Sequence, residues 1–434
     1  MAKTRGISRR HFIRTSAGAA AAGALLGKRA FAAPKPLKIG YVSPKTGALA
    51  PFGDADAFVI DQIRKRTQGG IMAGGITRPV EILVRDSQSS TNRCAEITAS
   101  LIKADKVDLV LVASTPDTVN PVSDQCEVNQ VPCVSTDAPW QPYFFGRGGN
   151  PGKGFDWTYH FFFGVDLVGQ IMCDIFDLVP TDKVVGCLWP DDVEGNATAD
   201  PAHGHPPVFI SRGYKVIDPG RFQGDTNDFS VQISKFKNAK AEILHGVVPL
   251  PPFSNFWSQA AQQGYRPKIA TIGKALEFPS SVEALGPRGR GLTIELGWSR
   301  NHPFKSSLSG QGAMQLCDAY EEYAHRQWTQ ALGFRHALFE VAVDTFKRAK
   351  NPDSAASVIE AVRATKLDTI VGPVSWQGPP PNQWIQIPVK NVCTSPLVAG
   401  QWVQGKKWMY DMVVVDNRRY PLIPVQRKME PLAG

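Results

Sequence analysis

Apolar runs and helix-period segments alternate along nearly the whole chain, most clearly between Val107 and Trp140. There the apolar run Val107–Val112 leads into a polar turn at Ala113–Pro116, a helical Asp117–Asn129, a second apolar run at Val131–Ser135 and a second polar turn at Thr136–Trp140. A short unbroken apolar run bounded by turn residues fits a strand covered on both faces of a parallel sheet. Upstream the same alternation predicts a strand at Leu37–Ser43, a helix from about Asp54 to Thr67 ended by Gly69-Gly70, a strand at Val80–Asp86 and a helix at Thr91–Ala104 capped by Ser90 or Thr91. Repetition of strand and helix in this order argues a doubly wound α/β sheet with right-handed crossovers.

A second series of the same kind follows. It predicts a helix at Asp166–Val179, a strand at Lys183–Trp189, a helix from about Glu194 to Ser211, and strands at Tyr214–Asp218, Glu242–Val247 and Lys268–Ile272, with helices Asp228–Asn238 and Asn255–Gln263 between them. Longer helices are expected at Gly310–His325 and Gly333–Lys350, and another at Asp353–Thr365. Strand-like segments close the chain at Ile370–Trp376, Trp384–Val389, Gln401–Val403 and Lys407–Val415. Two series with separate cores, in 434 residues, predict two domains.

In an open parallel sheet the carboxyl ends of adjacent strands face one crevice, so Ala113–Pro116 and Thr136–Trp140 belong side by side above it. Short hydroxyls and a helix start gather there, which suits a small polar or anionic solute. For Ser114 and Thr115 the competing role is plain capping of the following helix. Trp140 and Trp189 each end a strand and could roof a flat organic ligand, or simply fill a core.

Composition refines this picture. Hydrophobic content of 43% and charged content of 20% are those of a globular protein. The formal charge of +9 is mostly local: residues 1–32 hold Lys3, Arg5, Arg9, Arg10, Arg14, Lys28 and Arg29 and no acid, which leaves the remainder near neutral. No basic stripe with interleaved aromatics occurs there, so no nucleic-acid partner is expected. Arg9-Arg10, the Ala/Gly-rich run Ala17–Gly27 and the small-residue site Ala30-Phe31-Ala32 read as a twin-arginine signal peptide spanning residues 1–32, removed near Ala33 on export to the periplasm. The run is too short to cross a bilayer, and no later stretch of about 18 apolar residues follows, so no direct membrane insertion is expected.

The segment Phe145–Phe155 fails as a phosphate loop, because Arg147 stands where a glycine is needed and Gly154 follows Lys153. It reads as a surface loop. Seven cysteines lack any C-x-x-C spacing. Cys126 and Cys133 bracket one helix-to-strand turn, where a disulfide is geometrically feasible and an oxidising compartment favours it. His203 and His205 lack two further ligands nearby, so no metal is expected. No nucleotide motif or nucleophile elbow is present, and neither a cofactor nor catalysis is expected.

Taken in order, Ser43-Pro44-Lys45-Thr46-Gly47, Gly69-Gly70-Ile71, Asp86, Ser114-Thr115, Val131–Ser135, Asp192–Gly195, Asp228-Phe229 and Gly372–Trp376 give the chain from Leu37 to Val415 a resemblance to the periplasmic solute-binding proteins of branched-chain amino acid ABC transporters, the leucine-binding-protein-like type I receptors. The resemblance implies two doubly wound lobes joined by a three-stranded hinge. Residues 33–164 plus 299–366 would form the N-terminal lobe and 165–298 plus 367–434 the C-terminal lobe, with crossings near Phe163–Val165, Leu296–Trp298 and Thr365–Ile370. It implies that a solute is held between the lobes and handed to membrane permease subunits, with closure on binding. Carried over residue by residue, the binding positions are Phe52, Ala113, Ser114, Thr115, Thr136, Asp137, Ala138, Asp166, Val193 and the turn Val247–Pro251. Pro139-Trp140 departs from the threonine of amino-acid binders. Lys274, in Gly273–Glu277, departs from the glutamate that holds an α-ammonium. A lysine there would attract a carboxylate, by several kcal/mol in a desolvated cleft, so a carboxylate or aromatic acid is the favoured solute and an amino acid or amide the next. A ligand-sensing receptor subunit and a twin-arginine-exported enzyme are the alternative functions.

Overall fold

The computed structural model describes residues 34–382 and 385–432; the expected signal segment lies outside them. Its core is two sheets. The first is all parallel, in the order Val392–Cys393, Thr158–Phe161, Cys133–Thr136, Leu109–Ala113, Leu37–Ser43, Val80–Asp86. Alternation in the central strand explains its covering. Leu109, Leu111 and Ala113 face a layer that includes Phe58 and Ile63 of the helix Asp56–Arg66 and Leu338 of the helix Gln330–Arg348. Val110 and Val112 face Ile97 and Leu101 of the helix Thr91–Lys103 and Val119 and Val122 of the helix Pro116–Asn129. A strand buried on both sides can afford no polar position, which is why its sequence is an unbroken apolar run.

The second sheet orders Arg221–Phe222, Val184–Pro190, Ile243–Val248, Ile269–Lys274, Thr293–Leu296, Val398–Gln404, Tyr410–Asp416. Its last two strands run antiparallel to their neighbours. Each sheet reverses direction at one point: the chain leaves Leu37–Ser43 for Val80–Asp86 and returns on the other side at Leu109–Ala113, and it does the same around Val184–Pro190. Crevices open at such switch points, beyond the carboxyl ends of the strands.

Most expected elements are present within a few residues of their bounds. Ser90 caps its helix, its hydroxyl accepting from the Arg93 N–H at 3.3 Å. The helix expected over Glu194–Ser211 is two, Val193–Thr198 and His205–Ser211. The strand expected at Trp384–Val389 is absent from residues 385–389, while Trp384 lies outside the described residues. Thr158–Phe161 is a strand that the sequence pattern does not mark.

The chain passes between the sheets three times, first after Phe161 and again after Leu296. At the second passage Gly297 is required by close approach, since a Cβ there would lie 2.8 Å from the Phe163 ring and 3.1 Å from that of Phe334. The third passage corrects the expectation at Thr365–Ile370. The hairpin Lys366–Thr369/Gly372–Ser375 stays on the first side, where Trp376 packs against Tyr159 at 5.1 Å and donates to the Val362 carbonyl. Val392–Cys393 then joins the first sheet, so the passage falls at residues 394–397.

Phe145–Phe155 is more tightly held than a free surface loop. The fully buried Arg147 side chain lies over the Phe155 ring at 4.0 Å and pairs with Asp124 at 2.6 Å. Cys126 and Cys133 are buried free thiols, correcting the expected bridge. They are hydrogen-bonded to each other, and burial, reinforced by that contact, pushes the Cys126 thiol well up. His205 is a core residue, bonded to His245 at 2.8 Å and to the Val165 carbonyl at 3.0 Å, with both imidazoles satisfied inside the protein.

Candidate functional site

The carboxyl ends of both sheets meet at one cleft. From the first sheet, the strand starting at Leu37 delivers Ser43 and the short turn Ala50–Gly53 carrying Phe52; the next two strands deliver Ser114 and Asp137. From the second come Asp192, Glu194, Lys274 and Glu277. Asp137 and Lys274 both have left-handed backbones, with φ of 70° and 61°. Non-glycine residues held there are uncommon, and such strain concentrates at binding sites.

A narrow cavity of about 10 Å³, the room of a single water, lies between these ends and is lined by Phe52, Asp137, Phe162, Phe163, Glu194, Lys274, Glu277 and Glu295, among others, so the lobes stand closed over it. A second gap of the same size, about 10 Å³, shares Asp137, Phe162, Phe163, Glu277 and Glu295 and adds Gln330, Ala331 and Phe334. The two rims touch: Phe52 packs edge-on to Phe278 at 4.8 Å, and Asp117 accepts from the Val193 N–H.

Arg335 organises the first rim. Fully buried, it pairs with Asp56 at 3.2 Å and with Asp137, and donates to the carbonyls of Phe52 at 2.6 Å and Ala113 at 3.1 Å. Tyr41 and Ser43 also donate to Asp56. One guanidinium thus fastens the ends of three strands, using the fork geometry that makes arginine suited to buried pairs. Burial nonetheless pushes the Asp56 and Asp137 carboxyls up, against the pull of Arg335. Asp137 Oδ1 has no partner among the described residues.

The second rim is differently arranged. Lys274 Nζ contacts Asp192 at 2.7 Å and Glu194 at 3.3 Å. Lys274, expected to face a solute carboxylate, lines the cavity and is paired within the protein to two carboxylates of its own rim. Glu277 accepts only the Lys274 backbone N–H at 3.2 Å, and Glu295 Oε2 has no partner among the described residues. Burial pushes Glu194 up to about 7 and Glu295 up to about 8, and drives Glu277 well above the usual range with help from Glu295, Glu194 and Asp137. Cavity walls of phenylalanine and carboxyl give the site apolar contact area together with strong, unsatisfied hydrogen-bond acceptors. No cluster of three or more metal-ligating side chains occurs among the described residues.

Of the residues the sequence singled out, Phe52, Asp137, Lys274 and Val247 line the cavity. Ala113 and Ala138 serve through their carbonyls, to Arg335 and to His160 at 2.7 Å. Thr136 is tied to the Phe161 carbonyl at 2.7 Å. Ser114 and Thr115 are buried with free hydroxyls, so Thr115 does not cap its helix through its side chain, but neither lines the cavity. Asp166 accepts from Gln141 at 2.5 Å at the cleft's edge, and Val193 is exposed. Trp140 and Trp189 are core residues: the first packs against Phe145 at 5.9 Å, the second against His245 at 5.2 Å. Sequence reasoning missed Arg335, Glu194, Glu295, Gln330 and the phenylalanines at 162, 163 and 334. The available signal was a charge inside an apolar pattern: Arg335 shares a helix face with Leu338 and Phe339, and Glu295 interrupts a buried strand.

Two sheets with facing carboxyl ends, a threefold passage and a cavity between define a two-lobed α/β receptor of the type I periplasmic binding fold. Residues 36–386 match the family described as periplasmic binding protein, and residues 6–26 match the twin-arginine translocation signal sequence. The chain belongs to that family and carries a signal for export to the periplasm. Among solved structures, the branched-chain amino acid transporter substrate-binding protein LivJ from Streptococcus pneumoniae, in complex with isoleucine, superposes with a TM-score of 0.68 at 17% identity, covering 88% of this chain and 100% of that one. A solute-binding protein of an ABC transporter from Rhodopseudomonas palustris, in complex with 4-hydroxybenzoate, gives 0.69 at 15% identity, covering 92% and 97%. Another from Rhodopseudomonas palustris, in complex with 3,4-dihydroxybenzoic acid, gives 0.68 at 16%, covering 87% and 95%. No curated protein matches.

Proposed function

We propose that this protein is the solute-capturing component of an ABC importer, holding a small organic solute between two lobes and handing it unaltered to membrane permease subunits. The lobes are 33–164 plus 299–393 and 165–298 plus 394–434; segment 367–393 moves to the first because Val392–Cys393 pairs within its sheet. One observation carries the reading: the carboxyl ends of both sheets converge on a phenylalanine- and carboxyl-lined cavity whose rims touch through Phe52 and Phe278. A solute bound there is sequestered from both faces and released only when the lobes part. The solute-binding proteins with isoleucine and hydroxybenzoates support the class. A carboxylate or aromatic acid would have to share Lys274 with Asp192 and Glu194; an amine-bearing solute meets two buried carboxyls, Glu277 and Glu295, that have no cationic partner among the described residues. Phe52, Asp137, Phe163, Glu277, Glu295 and Phe334 are the proposed contacts. Thermal-shift screening against a broad solute panel tests the reading: a true ligand at a hundredfold excess over Kd stabilises by about 2.7 kcal/mol, and Ala331→Trp, at a residue that lines the cleft beside Gln330 and Phe334, should abolish the shift. A shift that survives Ala331→Trp would refute the site.

A further inference from the structure

We propose that the solute this cleft accepts is an organic cation without a balancing carboxylate, an amine or quaternary ammonium on an apolar body, with Glu277 and Glu295 as its counter-ions. The inference rests on the reading of the cleft given above and adds the charge of its occupant.

Four carboxyls line the cavities, Asp137, Glu194, Glu277 and Glu295, and two more, Asp56 and Asp192, stand behind them on the same cations. Only two cations answer them. Arg335 is consumed by Asp56 and Asp137, and Lys274 by Asp192 and Glu194. Glu277 and Glu295 have no cationic partner among the described residues, and both line the two cavities. Glu295 Oε2 and Asp137 Oδ1, on side chains more than nine-tenths buried, lack any hydrogen-bond partner. Buried carboxyls in such a state either hold protons or await a positive charge.

The walls point the same way. Phe162, Phe163 and Phe334 line one cavity and Phe52 the other, and aromatic faces attract a desolvated ammonium. A solute carboxylate would face Asp137, Glu194, Glu277 and Glu295, while Lys274, which also lines the cavity, is already paired with Asp192 and Glu194. Even the helix start at Ser114–Thr115, where free N–H groups would suit an anion, carries Asp117 in its first turn, close to Asp192. The groups that face Glu277 are Glu295, Glu194, Asp137 and the backbone of Lys274, so a bound cation relieves repulsion among all of them. Binding should therefore expel protons from Glu277 and Glu295.

Titration calorimetry with phenethylammonium, L-leucine and 4-hydroxybenzoate, at pH 6 and pH 8 and in buffers of different ionisation enthalpy, tests this. Phenethylammonium should bind at least about tenfold more tightly than either carboxylate, tighten about tenfold or more per proton released as pH rises, and show a buffer-dependent enthalpy. Glu277→Gln and Glu295→Gln should each weaken it at least about tenfold while the melting temperature holds or rises, which separates lost binding from lost folding. Tighter binding of leucine or 4-hydroxybenzoate, or indifference of the cation to both glutamine variants, overturns the proposal and leaves solute capture standing. Failure of every solute in a charge-balanced panel to bind removes both.

Discussion

Two buried charge clusters lie within one cleft and are built on opposite plans. Around Arg335 each carboxyl has a cationic partner: two carboxylates and two carbonyls share one guanidinium through four hydrogen bonds, and the result fastens strand ends to the helix Gln330–Arg348. Around Glu277 and Glu295 no cation answers the carboxyls among the described residues, and Glu295 Oε2 is left without a hydrogen-bond partner there. A saturated cluster is scaffold, because any change leaves a buried charge exposed to low dielectric. An unsaturated one is costly in the empty protein and repaid by a ligand, which is what a receptor needs.

The comparison is broken most severely at Arg335. Arg335→Met should destabilise the fold by about 3–5 kcal/mol, read as a lowered midpoint in urea, because Asp56 and Asp137 are stranded. Next comes Lys274→Met, which strips two carboxylates of their partner at a less enclosed site. A loss of about 2 kcal/mol is expected, with the Asp192 side chain one-quarter exposed. Glu295→Gln should act with the opposite sign. Its carboxyl is raised from an ordinary 4.5 to about 8 by burial, so the native state binds that proton more tightly than the unfolded chain. Stability from this group is present in acid and is lost as pH climbs from about 4.5 through about 8. The glutamine variant should match the parent at pH 5 and exceed it by about 1 kcal/mol or more at pH 8, measured by denaturant midpoints at both pH values. The smallest effect belongs to the paired change Ser114→Ala and Thr115→Ala. Neither hydroxyl has a partner, so stability should shift by less than about 0.5 kcal/mol; a larger loss would mean that they are bonded after all.

How much of this was legible in the sequence follows from the same contrast. The sheets announce themselves because burial on both faces demands local apolar runs, and Leu37–Ser43 and Val80–Asp86 have the bounds their sequence predicts. The strand Thr158–Phe161 was hidden by His160, which looks like a break but is buried and satisfied by Ser135 Oγ at 2.8 Å and the Ala138 carbonyl. The third passage was misplaced because Gly372–Trp376 resembles a strand leaving the first side, while its actual partner is the adjacent hairpin strand.

The charge logic of the cleft was not legible at all, for a physical reason. Arg335 meets residues 279 and 198 positions away, and Lys274 meets one 82 positions away. A sequence shows which side chains carry charge but not which of them cancel. Lys274 in isolation pointed to an anionic solute; Lys274 beside Asp192 and Glu194 points to a cation.

Native mass spectrometry of the protein purified from the periplasm tests the central claim most directly, since any captured solute travels with the folded chain. The account predicts an adduct whose released compound is a cationic amine, present in the parent and missing from a Glu277→Gln, Glu295→Gln double variant that still folds. An adduct identified as a carboxylic acid, retained by that double variant, would contradict it.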